Sequence, residues 1–165
     1  MDSQVAQELV HLIRDHRTAA LGTVLDGHPL VTLILFDPAP DLSGFNVHVS
    51  RLAQHTRAMA QDSRVGLMIA QADSHTRNPQ TLARISIQGV AEPIHSDSPV
   101  FEDARASYLE RFPKSSMNFE LGDFFLVRIR PVSARLVTGF GKIFDLSADQ
   151  MTSLARQTLG LEDWT

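Results

Sequence analysis

The sequence contains no cysteine among its 165 residues. Disulfide bonds, thiolate nucleophiles and thiolate metal ligands are therefore excluded. No apolar run approaches the roughly eighteen residues that a membrane-spanning helix needs, and no basic segment followed by an apolar one opens the sequence. We therefore expect a cytoplasmic protein with no membrane partner.

An excess of positive charge is also missing. The chain has 15 Lys and Arg against 19 Asp and Glu, which gives a net charge of −4. Because nucleic-acid-binding proteins usually carry a basic excess or a basic stripe, we expect no nucleic-acid partner. None of the seven histidines pairs at a zinc-helix spacing with an acidic third ligand, so we expect no metal site. No nucleophile–base–acid set is recognisable, and catalytic residues remain unassigned.

The composition, with 43% hydrophobic and 21% charged residues, is typical of one soluble globular domain. We predict an N-terminal helix over residues 1–16, a barrel over 17–145 and a C-terminal helix over 146–165. Apolar residues at helical spacing mark the first helix, and Ser147 is a natural cap for the last. These apolar faces comprise Val5, Leu9, Leu12 and Ile13 in the first helix, and Met151, Leu154 and Leu159 in the last.

Alternating and β-branched runs predict seven strands between these helices. They cover residues 19–24, 29–36, 45–49, 64–70, 82–94, 124–129 and 135–144. Asp26-Gly27 is a hairpin signal, and the phase slip at Gly89 indicates a β-bulge. Ser98-Pro99 opens a further helix, which Phe112-Pro113 ends. Because hairpins join most strands, the fold class is mainly β (α+β), an antiparallel six- to seven-stranded barrel with peripheral helices.

Residues 50–57 place polar groups where a strand ends and a predicted helix over 52–61 begins. Ser50 is a candidate N-cap, and free N–H groups and the positive end of the helix dipole meet there. The same stretch also carries hydroxyl and cationic side chains, which suit a phosphate or another anion. These side chains are Ser50, Arg51, His55, Thr56 and Arg57. The alternative is a surface helix whose polar face is basic.

Several local strings resemble the pyridoxamine-phosphate-oxidase-like split-barrel family, in the branch that includes haem-utilisation proteins. They are Ala-Ala-Leu-Gly-Thr at 19–23, Asp-Gly-His-Pro at 26–29, Ser-Arg-Leu-Ala-Gln-His-Thr at 50–56, Arg-Val-Gly-Leu at 64–67, Phe-Pro at 112–113, Gly-Asp-Phe at 122–124 and Gly-Phe-Gly at 139–141. The resemblance covers roughly residues 17 to 145 and implies a split barrel. It also implies a homodimer that holds flavin mononucleotide (FMN) at its interface, with oxidoreductase chemistry on the flavin.

The resemblance also shows where this chain departs from the family. The oxidases supply an Arg and a Lys from the second strand to the FMN phosphate, and those positions are Thr32 and Asp37 here. Two basic residues near the start of the first barrel helix correspond to Gln54 and His55. The resemblance therefore implies a phosphate site rebuilt from other residues, namely Ser50, Arg51, His55, Thr56, Arg57 and Arg84.

The flavin ring would lie near the strands that precede this helix. His48 and Val49 match the strand end that touches the flavin in the oxidases, although His48 is equally consistent with a place in the core. Residues 33–35, which include Leu33 and Ile34, would offer the flavin ring a flat apolar slot and strand-edge amides. Phe140 would stack on the ring from the partner subunit, or it is a core aromatic.

Two alternatives to a flavoprotein stay open. In the haem-utilisation relatives haem occupies the interface and a C-terminal His is a ligand, whereas this chain has no His after His95. The chain is then a haem-binding or haem-degrading relative without flavin, or a non-catalytic dimeric binding module. The substrate is accordingly a small molecule or haem-like.

Overall fold

A computed structural model describes residues 3–139 and 141–161. Five α-helices and eight strands follow one another along these described residues. They are α1 (Ser3–Arg14), β1 (Thr18–Leu25), β2 (His28–Leu35), β3 (Asp37–Pro38), β4 (Phe45–Ser50), α2 (Gln54–Gln61), β5 (Arg64–Ala70), β6 (Arg84–Ile94), α3 (Phe101–Arg111), α4 (Ser116–Glu120), β7 (Phe124–Val137), β8 (Ile143–Ser147) and α5 (Ala148–Leu159).

Helices α1 and α5 pack against each other and cover part of the barrel core. The four predicted apolar residues of α1 are all buried. Ser147 caps α5 as predicted, because its hydroxyl accepts from the Gln150 N–H while the Gln150 side chain accepts from the Ser147 N–H. The prediction that Leu159 belongs to the apolar face of α5 is wrong, because Leu159 is 38% exposed. Ala155 lies on the buried face with Met151 and Leu154. None of the described helices is long and apolar enough to cross a membrane.

All strand pairs are antiparallel, in the order β2-β1-β5-β6-β7-β4-β3, with β8 also paired to β7. The predicted hairpin at Asp26-Gly27 is confirmed, and both residues have positive φ (52° and 77°), as a two-residue hairpin turn requires. No strand-to-strand hydrogen bonding joins the terminal strands β2 and β3 in the described chain. The barrel is therefore split along this line, and the predicted fold class is confirmed.

The longest strands, β6 and β7, pair along the whole of β6 and bend together at one point. Their register shifts between Gln88 and Gly89, which confirms the predicted bulge. Gly89 pairs with Pro131, and a Cβ atom at residue 89 would lie 2.8 Å from the Arg130 carbonyl oxygen and 2.9 Å from Ile129 Cγ2. Only glycine allows so close an approach of the two backbones.

The predicted sixth and seventh strands are wrong as separate elements, because residues 124–137 form the single strand β7. Pro131 lies inside it, and a proline normally argues against a central strand because it cannot donate to the ladder. Here the bulge accommodates it, since one edge of β7 changes partner around this point. Residues 124–129 pair with β4, and residues 133–137 pair with β8.

A second, smaller core lies between α3 and the sheet, away from the main barrel core. It contains Ile94, Ala104, Tyr108, Phe112 and Leu126. Helix α3 begins at Phe101, later than the Ser98-Pro99 signal predicts, and ends before Phe112 as expected. Its last residue, Arg111, donates hydrogen bonds to the carbonyl oxygens of Arg14, His16 and Phe36. Arg111 thereby joins α3 to the end of α1 and the end of β2.

Replacing Gly89 should test how strongly the barrel depends on this bend. We expect Gly89→Ala to lower the free energy of unfolding by about 1–3 kcal/mol, because the added methyl group meets fixed backbone atoms. The measurement is urea unfolding followed by circular dichroism. Gly66→Ala is the matched control, because a Cβ there would lie 3.9 Å from the nearest atom, the Ile87 carbonyl oxygen. Equal stability of the two variants would contradict this account of the bend.

Candidate functional site

The turn between β4 and α2 is longer than predicted, because the helix begins later. Helix α2 begins at Gln54 and not at residue 52, and its N-cap is Ala53. Ser50 is still the last residue of β4, paired with Phe124. The prediction that Ser50 caps the helix is therefore wrong, because three residues of turn separate its side chain from the first turn of α2.

The hydroxyl groups of Ser50 and Thr56 are both engaged within the protein. Ser50 Oγ donates to Asp123 Oδ2 at 2.7 Å and accepts from the Leu52 N–H at 3.1 Å. Thr56 Oγ1 donates to the Ser50 carbonyl oxygen at 2.6 Å, and the Arg51 N–H donates to the Asp123 carbonyl oxygen. These bonds fix the turn against the start of β7. They also place a carboxylate beside Ser50, which disfavours a second anion at that hydroxyl.

The N-terminus of α2 has no side-chain cap. Ala53 has no group that can accept from the first-turn N–H groups, and no acidic residue lies in that turn. The first N–H groups of a helix have no partner within the helix, and they carry the positive end of its dipole. This end of α2, which includes Gln54 and His55, is therefore suited to an anion.

His55 brings α2 to the edge strand β2. Its Nδ1 lies 3.3 Å from Thr32 Oγ1. Thr32 is the position at which the resemblance implies an Arg in the oxidases. Burial lowers the pKa of His55 below its ordinary value, so the ring is neutral at pH 7. The structure thus brings together two of the sequence-predicted site residues from different elements.

The outer face of β2 is apolar and strongly exposed. Val31 is 70% exposed and Leu33 is 72% exposed, and the far edge of β2 pairs with no strand in the part of the chain that the structure describes. Ile34 points the opposite way and is buried in the barrel core, so its side chain cannot line a slot. A flat ligand would therefore meet Leu33 and the free main-chain groups of this edge.

Arg51, Thr56 and Arg57 lie on a different side of α2 from the His55–Thr32 contact. Because successive helical residues are about 100° apart, His55 and Arg57 project to nearly opposite faces. Arg51 and Arg57 line a cavity of about 250 Å³ between α2 and strands β6 and β7. The guanidinium carbon of Arg51 lies 4.5 Å from the centre of the Phe125 ring. The predicted single cluster is therefore divided between two places.

One predicted site residue, Arg84, falls outside both places. Arg84 pairs with Val137 at the opposite end of β7 from Phe124, the partner of Ser50, and it donates to the Leu82 carbonyl oxygen. Within one chain the prediction that Arg84 joins Ser50 is therefore wrong, because the register of β6 and β7 separates them. Phe140 lies outside the described residues.

His48 lies with the second core. Its ring stacks on Phe119 with the ring centres 3.7 Å apart, and Tyr108 and Phe124 lie at its sides. Burial lowers the pKa of His48 to about 4, so it is neutral at pH 7. The neighbouring Val49 points to the other face of β4 and is buried in the barrel core. His48 is thus partly buried against the second core, and its contact with a flavin ring stays a prediction.

Asp37, the second departure from the family pattern, faces α3. The carboxylate is buried, and its Oδ2 accepts from Ser107 Oγ at 2.7 Å. The sequence leaves open whether Asp37 would point inward and repel a phosphate. In the structure the Asp37 carboxylate instead accepts a hydrogen bond from Ser107 on α3.

Asp123 and Phe125 are the contacts of this region that sequence reasoning missed. Neither stands near residues 50–57 in sequence, and only the antiparallel pairing of β4 with β7 brings them there. The one available signal was the predicted strand beginning at residue 124, because pairing it with the strand that ends at Ser50 places Asp123 at the turn.

Comparisons with known proteins agree with this architecture. The family model for pyridoxamine 5'-phosphate oxidase matches residues 5–138. The heme oxygenase HutZ of Vibrio cholerae is 26% identical over 162 residues, which cover 92% of this chain and 91% of HutZ.

Two solved structures share the fold at lower identity. A heme-binding protein from Mycobacterium smegmatis is 23% identical with a TM-score of 0.80, and the match covers 90% of this chain but 60% of that one. ChuZ from Campylobacter jejuni is 17% identical with a TM-score of 0.79, covering 91% of this chain and 62% of ChuZ. With the family model matching most of its length, the chain belongs to the pyridoxamine 5'-phosphate oxidase family.

Proposed function

We propose that this protein binds FMN at the interface of a homodimer and acts as an oxidoreductase. The observation that carries the proposal is the contact between His55 on α2 and Thr32 on β2, 3.3 Å apart. It joins an uncapped helix N-terminus to an edge strand with an exposed apolar face. Thr32 and Leu33 point to opposite faces of β2, so an anionic group at His55 and a flat ring on the apolar face would be connected around the open edge of this strand.

The phosphate of FMN would bind at the start of α2. Donors at this point are the backbone N–H groups of Gln54 and His55, together with one hydrogen of the His55–Thr32 pair, since their mutual hydrogen bond uses the other. Backbone N–H groups and a helix dipole bind phosphate without any cation. This arrangement therefore replaces the Arg and Lys whose positions are Thr32 and Asp37 in this chain.

The ring of FMN would lie along the outer edge of β2. Val31 and Leu33 offer apolar surface, and the unpaired main-chain groups of the edge suit the polar rim of the ring. Bound FMN supplies the electron-transfer chemistry, while the protein binds the cofactor, orients it and excludes water. The substrate in this proposal is a small molecule or haem-like.

A second copy of the chain would complete this site. The exposed apolar side chains on β2 continue across the sheet to Met68 on β5, which is 43% exposed and lies in the same cross-strand row as Leu33. Contiguous exposed apolar surface of this kind marks an interaction site. We propose that the partner subunit covers it.

His55→Ala should weaken FMN binding about tenfold or more. The variant removes a donor to a charged group, which contributes about 1.5–3 kcal/mol, and 1.4 kcal/mol is a factor of ten in affinity. The measurement is quenching of FMN fluorescence during titration with protein. His95→Ala is the matched control, because His95 is exposed and lies beyond β6. Equal affinity in His55→Ala and His95→Ala would contradict the phosphate site.

Leu33→Glu should convert the dimer to monomers and lose FMN at the same time. A carboxylate would be buried without a partner at the centre of the proposed interface, which costs several kcal/mol. Analytical ultracentrifugation gives the mass of each species. Val100→Glu is the control, since Val100 is also exposed but lies next to α3. A Leu33→Glu variant that remains dimeric would place the interface elsewhere.

Haem binding at the same place is a second candidate function. The Nδ1 atom of His55 faces Thr32, and no described residue contacts its Nε2 through a hydrogen bond. A neutral imidazole with one nitrogen hydrogen-bonded and the other free is the form that ligates iron. HutZ and the Mycobacterium smegmatis protein, which share this fold, are named for haem.

Ferric haem should therefore give a shifted Soret band with wild-type protein if this second function holds. His55→Ala should lose that shift, whereas His48→Gln should keep it, because the His48 ring is stacked on Phe119. An excess of FMN should displace the haem if both use one site. An unchanged haem spectrum on addition of wild-type protein would exclude this candidate.

A further inference from the structure

The cavity between α2 and strands β6 and β7 is a second place where a small ligand fits. Its volume is about 250 Å³, roughly eight water volumes. The floor is apolar and consists of Met59, Ala91 and Val127, all buried. The cavity is smaller than the usual range of sites for drug-sized ligands, so it is too small for FMN or haem.

Two cations stand at the opening of this cavity. Arg51 and Arg57 are exposed, and neither forms an ion pair with any carboxylate in residues 3–139 or 141–161. Arg51 instead lies over the face of the Phe125 ring. In a chain with a net charge of −4, two guanidinium groups that line one cavity without an ion-pair partner among the described residues mark a local positive field.

We propose that this cavity binds a small amphipathic carboxylate, with its apolar body on Met59, Ala91 and Val127 and its carboxylate between Arg51 and Arg57. A guanidinium group matches a carboxylate through two parallel N–H donors. The apolar floor excludes a fully polar anion, and the unpaired cations disfavour a neutral hydrocarbon. A short-chain fatty acid or a carboxylate on one aromatic ring meets both requirements.

This site is independent of the proposed FMN site. His55 and Arg57 project to nearly opposite faces of α2, and Thr56 between them is fixed by its hydrogen bond to the Ser50 carbonyl oxygen. The body of α2 therefore lies between the two sites. Loss of one site leaves the residues of the other in place.

Octanoate is a suitable probe, and 1-octanol is its uncharged counterpart. We expect octanoate to shift the amide signals of Met59, Ala91 and Val127 in ¹H–¹⁵N correlation spectra of the full chain. The fitted affinity should exceed that of 1-octanol by about tenfold or more, because the alcohol lacks the charge-assisted bonds. Equal affinity for the two probes, or no shifts with millimolar octanoate, would overturn the proposal.

Arg51→Ala combined with Arg57→Ala should weaken octanoate binding at least tenfold and leave 1-octanol binding unchanged. Arg77→Ala is the charge-matched control, since Arg77 is exposed on the segment between β5 and β6. The two replaced side chains are exposed, so a folded variant is expected, and circular dichroism checks this. Octanoate affinity that survives in the double variant would show that the arginines do not form the site, whatever the outcome of the FMN titrations.

Discussion

The shared bend of β6 and β7 is the constraint on which the rest of the structure depends. At Gly89 and Pro131 two backbones come so close that a side chain on residue 89 would collide with the Arg130 carbonyl. The bend lets one strand, β7, serve two partners along the same edge, β4 before Pro131 and β8 after it. Pro131 has no N–H to donate, and it lies where no ladder bond is needed on that edge.

The site follows from the first half of β7. Its pairing with β4 places Asp123 beside Ser50 and Phe125 beside Arg51. The bonds from Asp123 to the turn fix where α2 begins, and α2 in turn has one face on the edge strand β2 and another over the cavity. Polar residues that are adjacent in sequence are therefore distributed to two surfaces, because a helix turns about 100° at each residue.

Two charged side chains, Arg111 and Asp37, hold separate elements of this protein together. Arg111 supplies hydrogen bonds to carbonyls of three different segments, and its pKa is lowered by burial beside other arginines. The buried carboxylate of Asp37 faces Ser107 on α3. At the start of α2, by contrast, the groups available to an anion are backbone N–H groups and neutral side chains. Binding there depends on geometry more than on net charge.

The sequence alone determined an antiparallel barrel, the Asp26-Gly27 hairpin, the bulge at Gly89 and the Ser147 cap, because each rests on local conformational preferences or on alternation along one strand. That the barrel is split was implied by the resemblance to the family. It also indicated that residues 50–57 and Thr32 matter. Only the tertiary structure decided that Ser50 bonds to Asp123 and does not cap α2, that Arg84 lies apart, and that β7 runs unbroken through Pro131. Those outcomes depend on the register between strands distant in sequence, which no local pattern encodes.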